Sequence, residues 1–253
     1  MRRNTYLIIA FTAMMLTYSN LHSQDLPNSN FSGSNLDLDA QGGNPGLDFV
    51  FQQFRNKKYE PEKFKYEGSP FFNENFKKAG IYSKDGLEGY AYVRYDGFSD
   101  EVQLKKYEHD EKIQSLLKRK DIYCVVDGTP VMLKTYETKS GTRTEGYLFR
   151  RVDAGDLQLY ERKIKYFKEG KKARTSLELN VPNRFVESKE YYVGKKQNDG
   201  EAIIFLKQSK KEVLKTFSQS EKYPSIKKFI SEKGLNLKRD KDIFELFSYY
   251  NTL

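Results

Sequence analysis

The sequence predicts an α+β fold: a mainly antiparallel, twisted or partly barrel-like β-sheet with short C-terminal helices. Three observations carry this expectation. Between residues 79 and 205 apolar residues recur with a period of two, in runs rich in Val, Ile, Tyr and Phe, the residues a pleated surface favours. Those runs are punctuated by Asp-Gly, Ser-Gly and lone Gly positions that supply positive φ in hairpin turns, with no helical period between them. Beyond residue 209 the period changes, and helices that follow a sheet rather than alternate with its strands argue α+β.

Taken in order, the chain opens with Arg2 and Arg3, an uncharged apolar run over residues 6–16, and a polar stretch ending Leu21-His22-Ser23-Gln24. That order is the pattern of a secretory signal peptide over residues 1–23, with the cut expected after Ser23. The run is short for a bilayer span. The expectation is an exported chain, periplasmic, envelope-associated or extracellular, without a transmembrane span in its mature part. Residues 24–59 read as a flexible linker, rich in Asn, Ser, Gly and Asp as far as Asp48 and unable to bury enough surface to offset its ordering entropy. Asp37, Asp39, Gln41, Gly42 and Asp48 partly fit a calcium-binding EF-hand loop. However, Gln41 replaces a carboxylate, Asp48 is shorter than the usual bidentate Glu, and Pro45 interrupts the loop. A single domain is expected over residues 60–253, with the sheet at about 60–205 and the helices at about 209–253.

Within the sheet, Ala91, Val93 and Tyr95 share one face and Tyr90, Tyr92 and Arg94 the other. Val102 with Leu104, Val131 with Leu133 and Thr135, and residues 122–126, 146–152 and 157–167 supply further strands. Gly86, Gly128, Gly141, Gly155, Gly170 and Gly200 mark the turns. In the run from Leu157, Leu157 and Leu159 occupy odd positions whereas Tyr160, Ile164 and Tyr166 occupy even ones. A face switches only by inserting a residue, so a bulge is predicted near Tyr160. Ser209 and Glu212 form a capping box before Val213, Leu214 and Phe217. Pro224 opens a second helix carrying Ile226, Phe229 and Ile230, Gly234 ends it, and Leu235 is placed to pack back. Asp240 or Asp242 starts a third, with Ile243, Phe244, Leu246, Phe247 and Tyr250 facing inward. Helices this short need a sheet to dock on.

Composition restricts function more than it assigns it. The chain of 253 residues carries a formal charge of +9, an excess that favours anionic partners, although Lys and Arg are interleaved with Asp and Glu as on an ordinary solvated surface. Cys124 is the only cysteine, so no intrachain disulfide forms, and its apolar surroundings predict a buried, inert thiol. Aromatic residues make up 15% with no Trp, which disfavours a sugar-stacking platform. His109 stands in a charged run with no second His or Cys to complete a metal site. No phosphate loop, dinucleotide fingerprint or nucleophile elbow is present, so no cofactor is expected. The one concentrated feature is a basic, aromatic-containing stretch of Lys163, Lys165, Lys168, Lys171, Lys172 and Arg174, with Tyr166 and Phe167 among them. On a hairpin, Lys163 and Lys165 share a face with Phe167, an arrangement that tracks a polyanion, or else forms a solvated tip that discourages edge pairing.

The segment Gly68-Ser-Pro-Phe-Phe-Asn-Glu-Asn-Phe76 resembles the Gly-Ser-Pro-Tyr-Leu-Asn-x-x-Phe motif of a broad set of secreted, uncharacterised proteins of Bacteroidetes. Arg94-Tyr95 with Asp100-Glu101, and Leu246 with Tyr249-Tyr250-Asn251, are similar to their later landmarks. The resemblance implies export from a Gram-negative cell and brings no activity or catalytic residue with it. For the motif itself the residues argue a structural role: Pro70 fixes a turn, Phe71, Phe72 and Phe76 plug the sheet edge, and Asn73 bonds its own backbone. The function expected is that of a non-enzymatic exported protein that binds an envelope protein or a ligand. The alternatives are a polyanion or glycan binder using the basic hairpin, and a hydrolase with a carboxylate pair.

Overall fold

Hairpin turns dictate the architecture. Asp127 and Gly128 both adopt positive φ (48° and 73°), the mirror-image turn geometry that matches the twist of flanking strands. Turns of this kind fold the chain back on itself repeatedly. The structure, a computed structural model, describes residues 54–56, 66–175, 177–197 and 200–253. The expected signal peptide, most of the expected linker and the partial EF-hand match at 37–48 lie outside these residues.

Twelve strands belong to one sheet: β1 (Phe54–Asn56), β2 (Tyr66–Glu67), β3 (Lys77–Ser83), β4 (Gly86–Asp96), β5 (Glu101–Lys105), β6 (Gln114–Leu116), β7 (Tyr123–Val126), β8 (Thr129–Glu137), β9 (Arg143–Ala154), β10 (Leu157–Lys168), β11 (Asn183–Gln197) and β12 (Gly200–Leu206). Neighbours run β1-β6-β5-β4-β3-β7-β8-β12-β11-β10-β9, and β9 also pairs β8. The last five strands of that path therefore bond into a ring, from which the remainder extends as an open sheet. Most ladders are antiparallel; β2–β11 and the single contact Ile204↔Glu137 that closes the ring are parallel. The sheet reaches back into the stretch read as linker, because β1 pairs β6 with Phe54 opposite Leu116.

Alternation sorts the side chains into three cores. On β8 and β9, Val131, Leu133, Tyr147 and Phe149 join Ile81, Val93, Leu104 and Cys124 of the open sheet. The opposite parity puts Tyr136, Leu148, Tyr160, Tyr192 and Ile203 together within the ring. The outer face of β10–β12, with Leu157, Leu159, Tyr191, Val193 and Leu206, is covered by α1 (Lys210–Phe217), α2 (Tyr223–Glu232) and α3 (Asp240–Thr252). The β9–β10 register does shift between Leu159 and Tyr160, but the extra residue is Arg151 of β9; β10 keeps an unbroken register with β11, and plain alternation sends Leu159 to the helices and Tyr160 to the ring.

The helix ends follow the sequence with one exception. Ser209 Oγ accepts from the Glu212 amide at 3.3 Å, while the Ser209 amide donates to Lys207 O rather than to the Glu212 side chain, so only half of the capping box forms. Gly234 has φ +58°, and the Leu235 amide donates to Ile230 O, closing α2 and turning Leu235 onto the core. Gly170 departs from its expected role. Its φ is not positive; instead it lets two strands of backbone meet, since a Cβ there would stand 2.2 Å from Val181 O.

Candidate functional site

Where β10 runs past the end of β9, a cavity of about 260 Å³ opens between it and the open sheet. Its floor follows from alternation. Val93 on β4, Val102 on β5, Cys124 on β7, Val131 on β8 and Phe149 on β9 all point the same way and are all buried. Burial pushes the Cys124 thiol up to about 12, which leaves it a small apolar lining group with no thiolate character, as the sequence led us to expect.

The walls come from the Gly-Ser-Pro segment. Ser69 Oγ accepts from the Phe71 amide at 3.2 Å, Asn73 Oδ1 accepts from the Asn75 amide at 3.0 Å, and the Gly97 amide donates to Pro70 O at 2.9 Å, fixing this strap on the β4–β5 turn. The Arg94 guanidinium lies 3.6 Å from the Phe71 ring centroid and 4.4 Å from that of Phe76, and it donates to Gln103 Oε1 and Glu74 O. Phe72, Asn73 and Asn75 are thereby left facing the cavity. The strap thus packs on the β4–β5 turn, as a structural element, and also supplies one wall of the cavity.

Four cationic side chains reach the cavity, Lys77, Arg94, Arg151 and Lys163, against one carboxylate, Asp127, among the described lining residues. Three of the four are engaged. Lys77 lies 3.6 Å from Asp127, Arg94 is clamped as above, and Arg151 Nε donates to the fully buried Glu161 at 2.5 Å and its NH1 to Thr129 Oγ1 at 3.3 Å. Lys163 differs. No ion pair holds it among the described residues; its Nζ rests 4.6 Å from the Phe149 ring centroid and 5.4 Å from that of Phe72. Burial lowers its pKa below the ordinary lysine value, Arg151 and Lys189 act in the same direction, and Glu161 and Glu187 oppose them. Its backbone is held close to Tyr95, whose hydroxyl donates to Asp100 Oδ1 at 2.8 Å and lies 3.1 Å from Lys163 O.

The six basic residues singled out in the sequence do not form one surface. Lys163 is in the cavity. Lys165, on the same face, lies 4.7 Å from the Phe72 ring centroid and 3.4 Å from Glu187. Lys168, Lys171, Lys172 and Arg174 are exposed on the connection between β10 and β11. His109 is exposed. Sequence reasoning missed Arg151 and Lys77, and gave Phe72 only a structural role. The signal for Arg151 was present: it continues the odd parity of Tyr147 and Phe149, which places a cation at the end of a buried face. Lys77 and Phe72 had no such signal, since only the fold brings them near β10. The described residues contain no group of His, Cys, Asp and Glu arranged to hold a metal ion. Nor do they contain a helix long and apolar enough to cross a membrane. In comparison with known proteins, no family model, no curated protein and no solved structure matches this chain.

Proposed function

We propose that this chain is an exported, non-enzymatic binding protein that takes a small organic anion with an apolar body into the cavity at Lys163. The observation that carries the reading is the Lys163 ammonium itself, held over two aromatic rings with no ion-pair partner among the described residues, above a floor of Val, Cys and Phe side chains. A charged group withdrawn from water without a partner is costly, and an anion in the cavity would supply the missing counter-charge. The apolar floor would take a ring or short chain, while Asn73, Asn75 and Thr129 offer neutral hydrogen-bonding groups around it. Export is supported by the order of charge, apolar run and small residues at the N-terminus.

The test is calorimetric titration with benzoate and octanoate, each against the neutral amide of the same shape. The expected result is carboxylate binding that exceeds amide binding, and that Lys163→Met weakens by about tenfold, the scale of one charge-assisted hydrogen bond. The sign of the pH dependence is fixed. An anion is bound by protonated Lys163, whose pKa in the free protein is lowered. Affinity is therefore full at pH values below that lowered pKa, falls as pH rises above it, and levels only above the Lys163 pKa in the complex, which the bound anion raises. Lys163→Met would flatten this dependence. Equal binding of amide and carboxylate, or carboxylate binding indifferent to Lys163→Met, would refute the reading.

A further inference from the structure

In the connection between β10 and β11, three polar side chains bond to backbone while the aliphatic side chains stand exposed. Lys171 and Val181 exchange both backbone hydrogen bonds at 2.8 Å. Asn183 Oδ1 accepts from the Gly170 amide at 2.7 Å, Asn180 Oδ1 from the Ala173 amide at 2.8 Å, and Glu178 Oε2 from the Arg174 amide at 2.8 Å. Three polar side chains are thus used to hold backbone. Between and beside them, Leu177 is 95% exposed, Leu179 88% and Val181 41%. The base of the connection continues this character: Phe167 and Phe98 both pack edge-on against Phe185, yet each keeps a third or more of its surface in water, and Tyr166 is half exposed.

A folded tip that places two leucines almost wholly in water needs a partner for them. The same stretch of chain carries Lys168, Lys171, Lys172 and Arg174, all exposed, against two carboxylates over residues 168–178, of which Glu178 accepts from a backbone amide. Apolar tips that also carry Lys and Arg, with Tyr and Phe behind them, match an anionic bilayer layer by layer: acyl chains for the leucines, phosphates for the cations, and the interfacial zone for the aromatics. A soluble polyanion would use the cations and leave the leucines in water.

We propose that the β10–β11 connection docks on an anionic lipid surface, with Leu177 and Leu179 entering the boundary between headgroups and acyl chains and Lys171, Lys172 and Arg174 meeting headgroup phosphates. The surface is separate from the cavity and does not depend on its ligand.

The chain has no Trp, so Leu177→Trp gives a single reporter. The mature chain is mixed with phosphatidylcholine vesicles, with and without phosphatidylglycerol, and with heparin. With phosphatidylglycerol vesicles the Trp emission shifts to the blue and is quenched by a lipid-borne quencher; with heparin it does not shift. Leu177→Ser with Leu179→Ser lowers vesicle partition about tenfold and leaves heparin retention unchanged. Lys171→Gln with Lys172→Gln lowers vesicle partition and shrinks its fall with salt. All these positions are exposed, and unchanged thermal unfolding confirms that the variants are folded. Heparin and vesicle binding that both ignore the leucines would make the tip a polyanion surface and overturn the proposal. A leucine-dependent dimer seen by sedimentation without lipid would overturn it in favour of a second copy.

Discussion

Tyr95 joins three distant parts of the chain through one hydroxyl. It donates to Asp100 Oδ1 at 2.8 Å and lies 3.1 Å from Lys163 O, 68 residues away, while Asp100 also accepts from the Tyr147 amide at 3.2 Å. Asp100 adopts a positive φ of 52°, a conformation Asp tolerates better than most residues, and that conformation lets its carboxylate serve both donors. Burial and the neighbouring Asp100 carboxylate raise the Tyr95 pKa far above the ordinary tyrosine range, so the group is a neutral donor at any working pH. Tyr95→Phe keeps the ring against Phe149 and deletes only the hydroxyl. It should cost about 1–2 kcal/mol in denaturant unfolding. Tyr166→Phe, on the exposed β10 edge, should change stability by less than about 0.5 kcal/mol. A Tyr95→Phe cost no larger than that of Tyr166→Phe would remove the hydroxyl from the account of how β10 is held. At this scale the sequence was readable where neighbours decide the outcome: Cys124 among apolar residues is buried as expected. It was not readable for Lys163, because a lysine among charged residues looks solvated until the fold places Phe72 and Phe149 beneath it.

The parity change at Leu159 and Tyr160 was legible within one strand, but its cause was not: the two residues serve different cores on opposite faces of β10, and the bulge beside them comes from Arg151 of β9. The longest strand, β11, was not singled out. Its first half reads Asn183-Arg-Phe-Val-Glu-Ser-Lys-Glu190, with too many charges to show a period of two. Those charges are satisfied across the ladder: Glu187 stands opposite Lys165, and Glu190 opposite Arg162. A strand whose polar face is paired laterally hides its amphipathicity from a one-dimensional reading. Gly194 in the same strand faces the ring, where space is fully used. A Cβ there would stand 2.0 Å from Glu201 Oε1 and 2.8 Å from Tyr160 Cε2. Glu201 has no free direction of escape, because it accepts from the Tyr160 hydroxyl at 2.9 Å and pairs with Lys134 at 2.9 Å. Gly194→Ala should therefore destabilise by about 1–3 kcal/mol, the cost of overpacking. In a Glu201→Ala background the same substitution should cost much less, a coupling that a double-mutant cycle measures directly. Additive effects would mean that Glu201 is not what Gly194 makes room for.

The whole molecule is built from three cores that share strands. β9 alone supplies Tyr147 and Phe149 to the open-sheet core, Leu148 to the ring, and Ala154 to the helix-covered core. The class of fold was legible because periods of two and of 3.6 occupy separate parts of the sequence. The partly barrel-like character expected of the sheet is present as the ring, but which strands close it was not legible, since the contact between Ile204 and Glu137 joins residues that carry no mark of one another. The cavity was hidden for the same reason: its floor takes one residue from each of five strands. Shared strands have a thermodynamic consequence. Damage to the helices should reach the open sheet, because β9 cannot lose one face and keep the others. Leu246 on α3 is fully buried, and Val131 on β8 belongs to the open-sheet core, to which no helix residue contributes. Leu246→Ala should cost about 2–5 kcal/mol and Val131→Ala somewhat less, since fewer methyl groups are removed. In guanidinium each variant should lower the midpoint without changing the slope, and far-ultraviolet dichroism and tyrosine fluorescence should report one coincident transition. A first step in Leu246→Ala that melts helical signal while sheet signal persists would show that the helices are a separate folding unit, and that the shared strands couple the cores more weakly than their packing implies.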